Sequence, residues 1–227
     1  MHLDPDLLAE IASLIGALPL PPYARSSVRN NDLFEQFIFG LLVDAARAEG
    51  ASVSYRTAGG RRTTNLCFRI SPGWIYRDGP GYTHALIAFD NKIPLEAHIG
   101  IRLRGSSEVE HECDVVALLA DHAIECRANQ ISPASKSALV AIECKHLSAS
   151  TDLDYARSFV GLAKDLTAKH EFFVTNSSSR SVERLLHEQH LKWERNVRPL
   201  HADVREKLRS AFREVFKGYN AGKFGAL

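Results

Sequence analysis

The chain has 227 residues, 45% hydrophobic and 24% charged, with a net charge of +1; this is enough for one well-packed domain with an extension, and it excludes wholesale disorder. No apolar run reaches the roughly 18 residues of a membrane span, and the acidic start MHLDPDLLAE has no basic region leading into an apolar core, so no signal peptide is expected. Four scattered cysteines (Cys67, Cys113, Cys126, Cys144) include no CxxC pair, which excludes a disulfide scaffold and leaves a reduced, cytoplasmic protein without a membrane partner as the expectation.

From the N-terminus, Leu7, Leu8, Ile11, Leu14 and Ile15 recur at helical spacing and predict a helix over Pro5 to Leu18, stopped by Pro19, Pro21 and Pro22. A second helix follows, capped by Asn31 or Asp32, with Glu35 in its first turn and Gly50 as its stop. Its apolar face is Leu33, Phe34, Phe37, Ile38, Leu41 and Leu42. The period then changes to two. Strands are predicted at 52–57, 64–70 and 83–89, separated by Ala58-Gly59-Gly60 and Asp78-Gly79-Pro80-Gly81. Three more are predicted at Leu95–Leu103, Glu110–Leu119 and Ala138–Leu147. A helix from Leu153 to Ala168 with Asp152 as cap, a short strand at Glu171–Thr175, and helices at 181–194 and 202–217 complete the chain. There is no repeat and no linker long enough to force two domains, so residues 1–227 read as one domain with a helical extension from about 180.

Chemistry concentrates on two of these strands, Glu110-His111-Glu112-Cys113-Asp114-Val115-Val116 and Ala141-Ile142-Glu143-Cys144-Lys145-His146. By alternation Glu143 and Lys145 share a face opposite Cys144, and Glu112 and Asp114 share a face opposite His111 and Cys113. Apolar neighbours mark both strands as interior, where carboxylates and a lysine need a metal or a charge partner. Two carboxylates on adjacent strands make an all-oxygen site suited to Mg²⁺ or Mn²⁺, and the nearby lysine can orient a water or stabilise charge on a phosphate. The arrangement suits phosphodiester hydrolysis.

Asp114, then 28 intervening residues, then Glu143-Cys144-Lys145 resembles the PD-(D/E)XK nuclease superfamily. Over about residues 30–176 the order of an acidic helix, three strands, a helix and a fourth strand also resembles that family's core. The resemblance implies an α/β, restriction-endonuclease-like fold: a central mixed sheet flanked by helices, here with a strand-rich insertion and a helical C-terminal tail. It further implies Asp114 and Glu143 as metal ligands, Lys145 as the lysine of the motif, and Glu35 as the acidic residue some members carry on the preceding helix. Cys113 stands where the family name has proline. A metal-dependent DNA endonuclease of restriction, defence or repair type is the function implied, with RNA as the other substrate. Cutting both strands of DNA would call for two sites, as in a homodimer, and targeting would come from a partner protein.

Other readings use the same residues. Glu112 either joins the metal site or sits solvated at the strand mouth, and Glu96 reads as a surface or salt-bridged glutamate before a ligand. His111, Cys113, Cys144 and His146 offer two cysteines and two histidines to a tetrahedral zinc. A catalytically silent nucleic-acid-binding or scaffold protein would keep the fold without the metal. For substrate contact, Arg56, Arg61 and Arg62 flank the first turn, and Trp74, Tyr76 and Tyr82 lie near the second, where they stack on bases or simply pack. Residues 180–227 carry a net charge of +5 and residues 95–150 a net −3, a basic helical surface beside an acidic site.

Overall fold

The computed structural model describes residues 5–15, 29–79 and 81–222. Its organising element is α2 (Asn30–Ala48), in which every residue from Asp32 to Val43 is buried. A helix buried all round must be covered on every side. One side is the central sheet; α1 (Pro5–Ile15) and α6 (Ala202–Asn220) supply the rest, through Leu7, Ile11, Leu208, Phe212 and Phe216 in one continuous apolar cluster. The helix begins two or three residues earlier than the sequence suggests. Arg29 is its cap, and Asp32 lies inside, accepting the Arg29 N–H at 2.6 Å. The expected end of α1 at Leu18 and the proline stop that follows lie outside the described residues, as does Pro80 in the second turn.

The sheet has seven strands in the order of the chain: β1 (Ser52–Thr57), β2 (Thr83–Ala88), β3 (Leu95–Arg104), β4 (Glu110–Leu119), β5 (Ala138–Lys145), β6 (His170–Thr175) and β7 (Lys192–Glu194). Neighbours from β1 to β5 are antiparallel, and β5, β6 and β7 are parallel. This is an α/β fold with a mixed sheet. On the face away from α2 lie α3 (Ala120–Asn129), α4 (Leu153–Asp165) and α5 (Arg180–Glu188), packed on two further apolar clusters that include Cys113, Val116, Leu118, Phe159 and Phe173. The sequence α2, β3, β4, β5, α4, β6 reproduces the expected helix, three strands, helix and strand, with α3 inserted between β4 and β5. Asp152 caps α4 as expected, accepting the Asp154 N–H at 2.9 Å.

Two expectations are corrected. Residues 64–70 form no strand; Cys67 instead exchanges hydrogen bonds with Thr83, one of them to the threonine hydroxyl, which ends any ladder there. The helix expected over 181–194 stops at Glu188, because His190 takes a left-handed conformation (φ +54°) and turns the chain into β7. Part of the basic C-terminal segment serves the fold itself: Arg205 pairs with Glu10, Arg209 with Asp44 and Arg213 with Glu49, clamping α6 to α1 and α2. No described helix is long and apolar enough to cross a membrane.

Candidate active site

Strands β4 and β5 are hydrogen-bonded neighbours from Leu118 opposite Ala138 to Val115 opposite Ile142. Beyond Val115 the register ends, and the Asp114 side chain takes over: its Oδ2 accepts the Cys144 backbone N–H at 2.7 Å. The opening between the two strands is thus lined by carboxylates. Lys145 closes it from the β5 side, with Nζ 2.6 Å from Glu143 Oε1 and 3.4 Å from Asp114 Oδ2, while also donating to the Cys144 carbonyl at 3.0 Å. Asp114, Glu143, Lys145, Glu112 and His111 line one cleft of about 370 Å³, whose far wall is Ser158, Phe159, Gly161 and Leu162 of α4.

A local break in alternation puts these groups together. On β3, Leu95, Ala97 and Ile99 belong to the cluster under α2, whereas Ile101 and Leu103 belong to the cluster under α3. On β4, Val115, Ala117 and Leu119 join the first cluster and Cys113 the second. The switch falls at Gly100 and Asp114, and Gly100 has a φ of +61°, which a residue with a Cβ rarely adopts. His111 therefore shares the cleft with Glu112 and Asp114 instead of facing away from them. It is held there by Asp165 at the end of α4, 2.6 Å from its Nε2. Asp165 in turn accepts hydrogen bonds from Ser107 and Ser106, and these bonds with that from His111 hold its carboxyl below the usual range.

The electrostatics follow from burial. Asp114 is only 5% exposed. Desolvation raises its pKa, against the pull of Lys145 and the Cys144 N–H. Burial and the neighbouring Asp114 charge push Glu143 up to about 7 and, on α2, Glu35 up to about 9. Glu112 is raised for the same two reasons. Burial alone would lower Lys145, but Asp114 and Glu143 outweigh it and hold the ammonium protonated. Asn31 fixes the approach of α2: its amide donates to Glu35 at 2.6 Å and accepts the His146 N–H at 3.2 Å.

Asp114, Glu143 and Glu112 line the cleft with one lysine, Glu35 on α2 feels the charges of Asp114 and Glu112, and this crowding favours protons on Glu143 and Glu35 that a cation would displace. That donor set fits a hard divalent cation, with Asp114 and Glu143 as its holders and Glu112 at the cleft mouth. The zinc reading fails on geometry. Cys144 packs under α2 and Cys113 under α3, on opposite sides of the sheet. His146 packs at a tilt against Phe34, with ring centroids 5.5 Å apart, and His111 is taken by Asp165. Burial also holds both thiols far above their ordinary pKa, so neither is poised as a thiolate.

Arg56, Arg61 and Arg62 lie at the β1 edge of the sheet, outside the cleft. Arg56 bonds the Gly60 carbonyl at 3.1 Å, whereas Arg61 and Arg62 are exposed. Glu96 is also outside the cleft. With His84 and His98 it forms a buried trio whose donor atoms lie within 4.8 Å of one another. Sequence reasoning missed this trio because its members come from β2 and β3, and missed its counterion because Arg127 sits on the unforeseen α3. Arg127 grips both oxygens of Glu96 at 2.6 Å. Burial would raise the Glu96 pKa, but Arg127 and the two histidines hold it far below the usual range. The guanidinium already supplies the cation here, so the trio is a structural ion pair joining α3 to β3.

No protein-family model, curated protein or solved structure matches the chain.

Proposed function

We propose that the protein is a metal-dependent nuclease of the restriction-endonuclease-like kind, acting on DNA as an endonuclease. The observation that carries this reading is the convergence of Asp114, Glu143 and Lys145 at the point where β4 and β5 part, in a cleft lined by a further carboxylate. Mg²⁺ or Mn²⁺, when bound by Asp114 and Glu143, would supply the Lewis-acid charge that phosphodiester hydrolysis needs. Lys145 offers an ammonium to a phosphate oxygen as negative charge builds on it. Its two carboxylate partners fix that ammonium at the cleft. Glu112 adds a carboxylate to the cleft, and Glu35 on α2, raised by burial and by Asp114, holds a proton beside it. In the reaction, the oxygen of a water joins phosphorus, one P–O ester bond breaks, and a water proton ends on the departing alcohol.

A second reading has one observation of its own. Lys145 already neutralises part of the Asp114–Glu143 charge, as it would in a catalytically silent relative that binds nucleic acid without metal.

Supercoiled plasmid, linear DNA and RNA, each incubated with Mg²⁺, Mn²⁺ or EDTA beside the Glu143→Ala variant, separate the two. Cutting that requires metal and disappears in the variant supports the nuclease and identifies its substrate. Binding that is indifferent to chelator, with no cutting of any substrate, would overturn it in favour of the silent protein.

A further inference from the structure

We propose that Trp74, Arg77 and Arg102 form a phosphate-binding rail that leads a nucleic-acid strand into the cleft; this deepens the nuclease reading and rests on it. The chain between β1 and β2 is 25 residues long (58–82) and contains four arginines and one acidic residue, Asp78. Loops of that length inside a compact fold are usually functional. This one leaves β1 and returns to β2 at the Thr57–Thr83 pair, at the same end of the sheet as Gly100 and Asp114. It is then pinned to β3 beside the cleft: Gly73 donates to the Gly100 carbonyl and accepts from the Arg102 N–H, both at 3.0 Å. Arg69 reinforces the loop from inside, donating to the carbonyls of Trp74 and Arg77 at 3.1 and 2.7 Å.

That anchoring delivers Trp74 to the sheet surface. Glu110 accepts its indole N–H at 3.0 Å and is itself held by the Ser132 hydroxyl at 2.6 Å. Two guanidinium groups lie over the indole, Arg77 at 4.7 Å and Arg102 at 5.3 Å from its centroid, and Tyr76 stacks beside it. Cation–π attraction and a flat platform restrict both arginines without neutralising them. Arg77 has no ion pair among the described residues. Arg102 has one loose approach, 3.9 Å to Glu110, and its buried Nε–H has no acceptor among the described residues. Arg102 is also the cross-strand partner of Glu112, which lines the cleft. Arg77, Trp74 and Arg102 thus form one cluster, and the β3–β4 pairing sets Arg102 opposite Glu112, two residues from Asp114.

An acidic cleft repels a polyanion, so a substrate must be held by positive charge at its side. Two preoriented guanidiniums serve this purpose because they match phosphate oxygens in geometry as well as charge. The occupant is the phosphate backbone of the strand being cut, with Trp74 as a positioning residue that holds the arginines and does not read sequence.

The test is anisotropy of a fluorescein-labelled DNA oligonucleotide, single-stranded and duplex, titrated with Glu143→Ala protein in EDTA over a range of salt. Adding Arg77→Ala and Arg102→Ala together is expected to weaken binding about tenfold or more and to reduce the slope of log K against log salt by about 0.7–0.9 for each phosphate that the protein no longer neutralises. Trp74→Ala should reproduce much of that weakening and Trp74→Phe should retain binding, while exposed Arg184→Ala on α5 should change little. Circular dichroism and an Arg102→Lys variant guard against misfolding. Unchanged affinity and slope in the double variant, or an equal weakening with Arg184→Ala, would overturn the rail. If those outcomes accompany metal-dependent cutting by the wild-type protein, the nuclease reading survives without the rail. If binding depends on Arg77 and Arg102 but nothing is ever cut, the rail stands and the nuclease reading falls.

Discussion

The carboxylate of Asp114 occupies a position in the β4–β5 pairing that a backbone carbonyl would ordinarily fill, accepting the Cys144 N–H at 2.7 Å where the strand register has ended. The same oxygen lies 3.4 Å from Lys145 Nζ. One side chain thus both closes the sheet and opens the site. Its two roles separate by substitution. Asp114→Asn keeps an acceptor for Cys144 and removes a buried charge, so it should fold at least as stably as wild type yet lose metal-dependent cleavage. Asp114→Ala leaves a buried N–H unpaired and should be less stable than Asp114→Asn by about 1–3 kcal/mol. Thermal melts beside a plasmid-cutting assay check both. Cleavage by Asp114→Asn at the wild-type rate would refute the assigned role.

Glu143→Ala and Lys145→Ala should each abolish cleavage while leaving a folded protein, since both side chains project into the cleft instead of an apolar cluster. Circular dichroism together with the cleavage assay is sufficient. Retained activity in both, and in Asp114→Ala, would rule the site out.

The raised carboxyl groups set a pH dependence. Glu143 and Glu35 move from an ordinary 4.5 up to about 7 and about 9 in the folded protein. Between those values the folded state holds protons that the unfolded chain has released, so unfolding free energy falls as pH rises. The favourable contribution is complete below 4.5 and is lost as pH climbs through about 7 and then about 9. In EDTA the melting temperature should therefore decline across that interval. Glu35→Gln should flatten the decline, and raise the melting temperature on its alkaline side by about 2–4 °C for each kcal/mol relieved. Added Mg²⁺ should stabilise more above neutrality than below it. A melting profile in Glu35→Gln identical to wild type would contradict the assignment.

Removing Arg127 strands Glu96, which is 2% exposed, as a buried charge with only histidines beside it. Arg127→Ala is expected to cost about 3–5 kcal/mol, and a joint Arg127→Met and Glu96→Leu replacement much less. Urea denaturation of the two variants measures the difference. Neither should weaken DNA binding by the cleft.

The last helix is held by apolar packing more than by its charges. Phe212 is fully buried and meets Phe172 edge-on at 5.3 Å. Phe212→Ala should cost about 3–5 kcal/mol. Arg213→Ala breaks a partly exposed pair with Glu49 and should cost about 1 kcal/mol or less. Comparable destabilisation in the two would mean that ion pairs carry the docking.

Whatever depends on local period and residue type could be read from the chain before any fold was known. Apolar positions placed α2, β3, β4, β5, α4 and β6 within a few residues, because each buries a face that its own spacing writes out. The Glu143–Lys145 pair was legible for the same reason: residues two apart on a strand share a face. Long-range packing set the remainder. Alternation could not foresee the switch at Gly100 and Asp114, where a left-handed glycine and a strand separation turn His111 into the cleft. Nor could it foresee α3, whose few apolar residues, Ala120, Ala123 and Cys126, acquire a partner only once β3 and β4 lie beneath them. Net charge on the tail pointed to a polyanion surface, but Arg205, Arg209 and Arg213 spend part of it on α1 and α2. Positive charge stands also on Arg77 and Arg102, residues 25 apart in sequence that only the pinning of Gly73 to Gly100 brings onto one tryptophan. Residue type fixes what a side chain can do, and distant partners determine which of those capacities remains free.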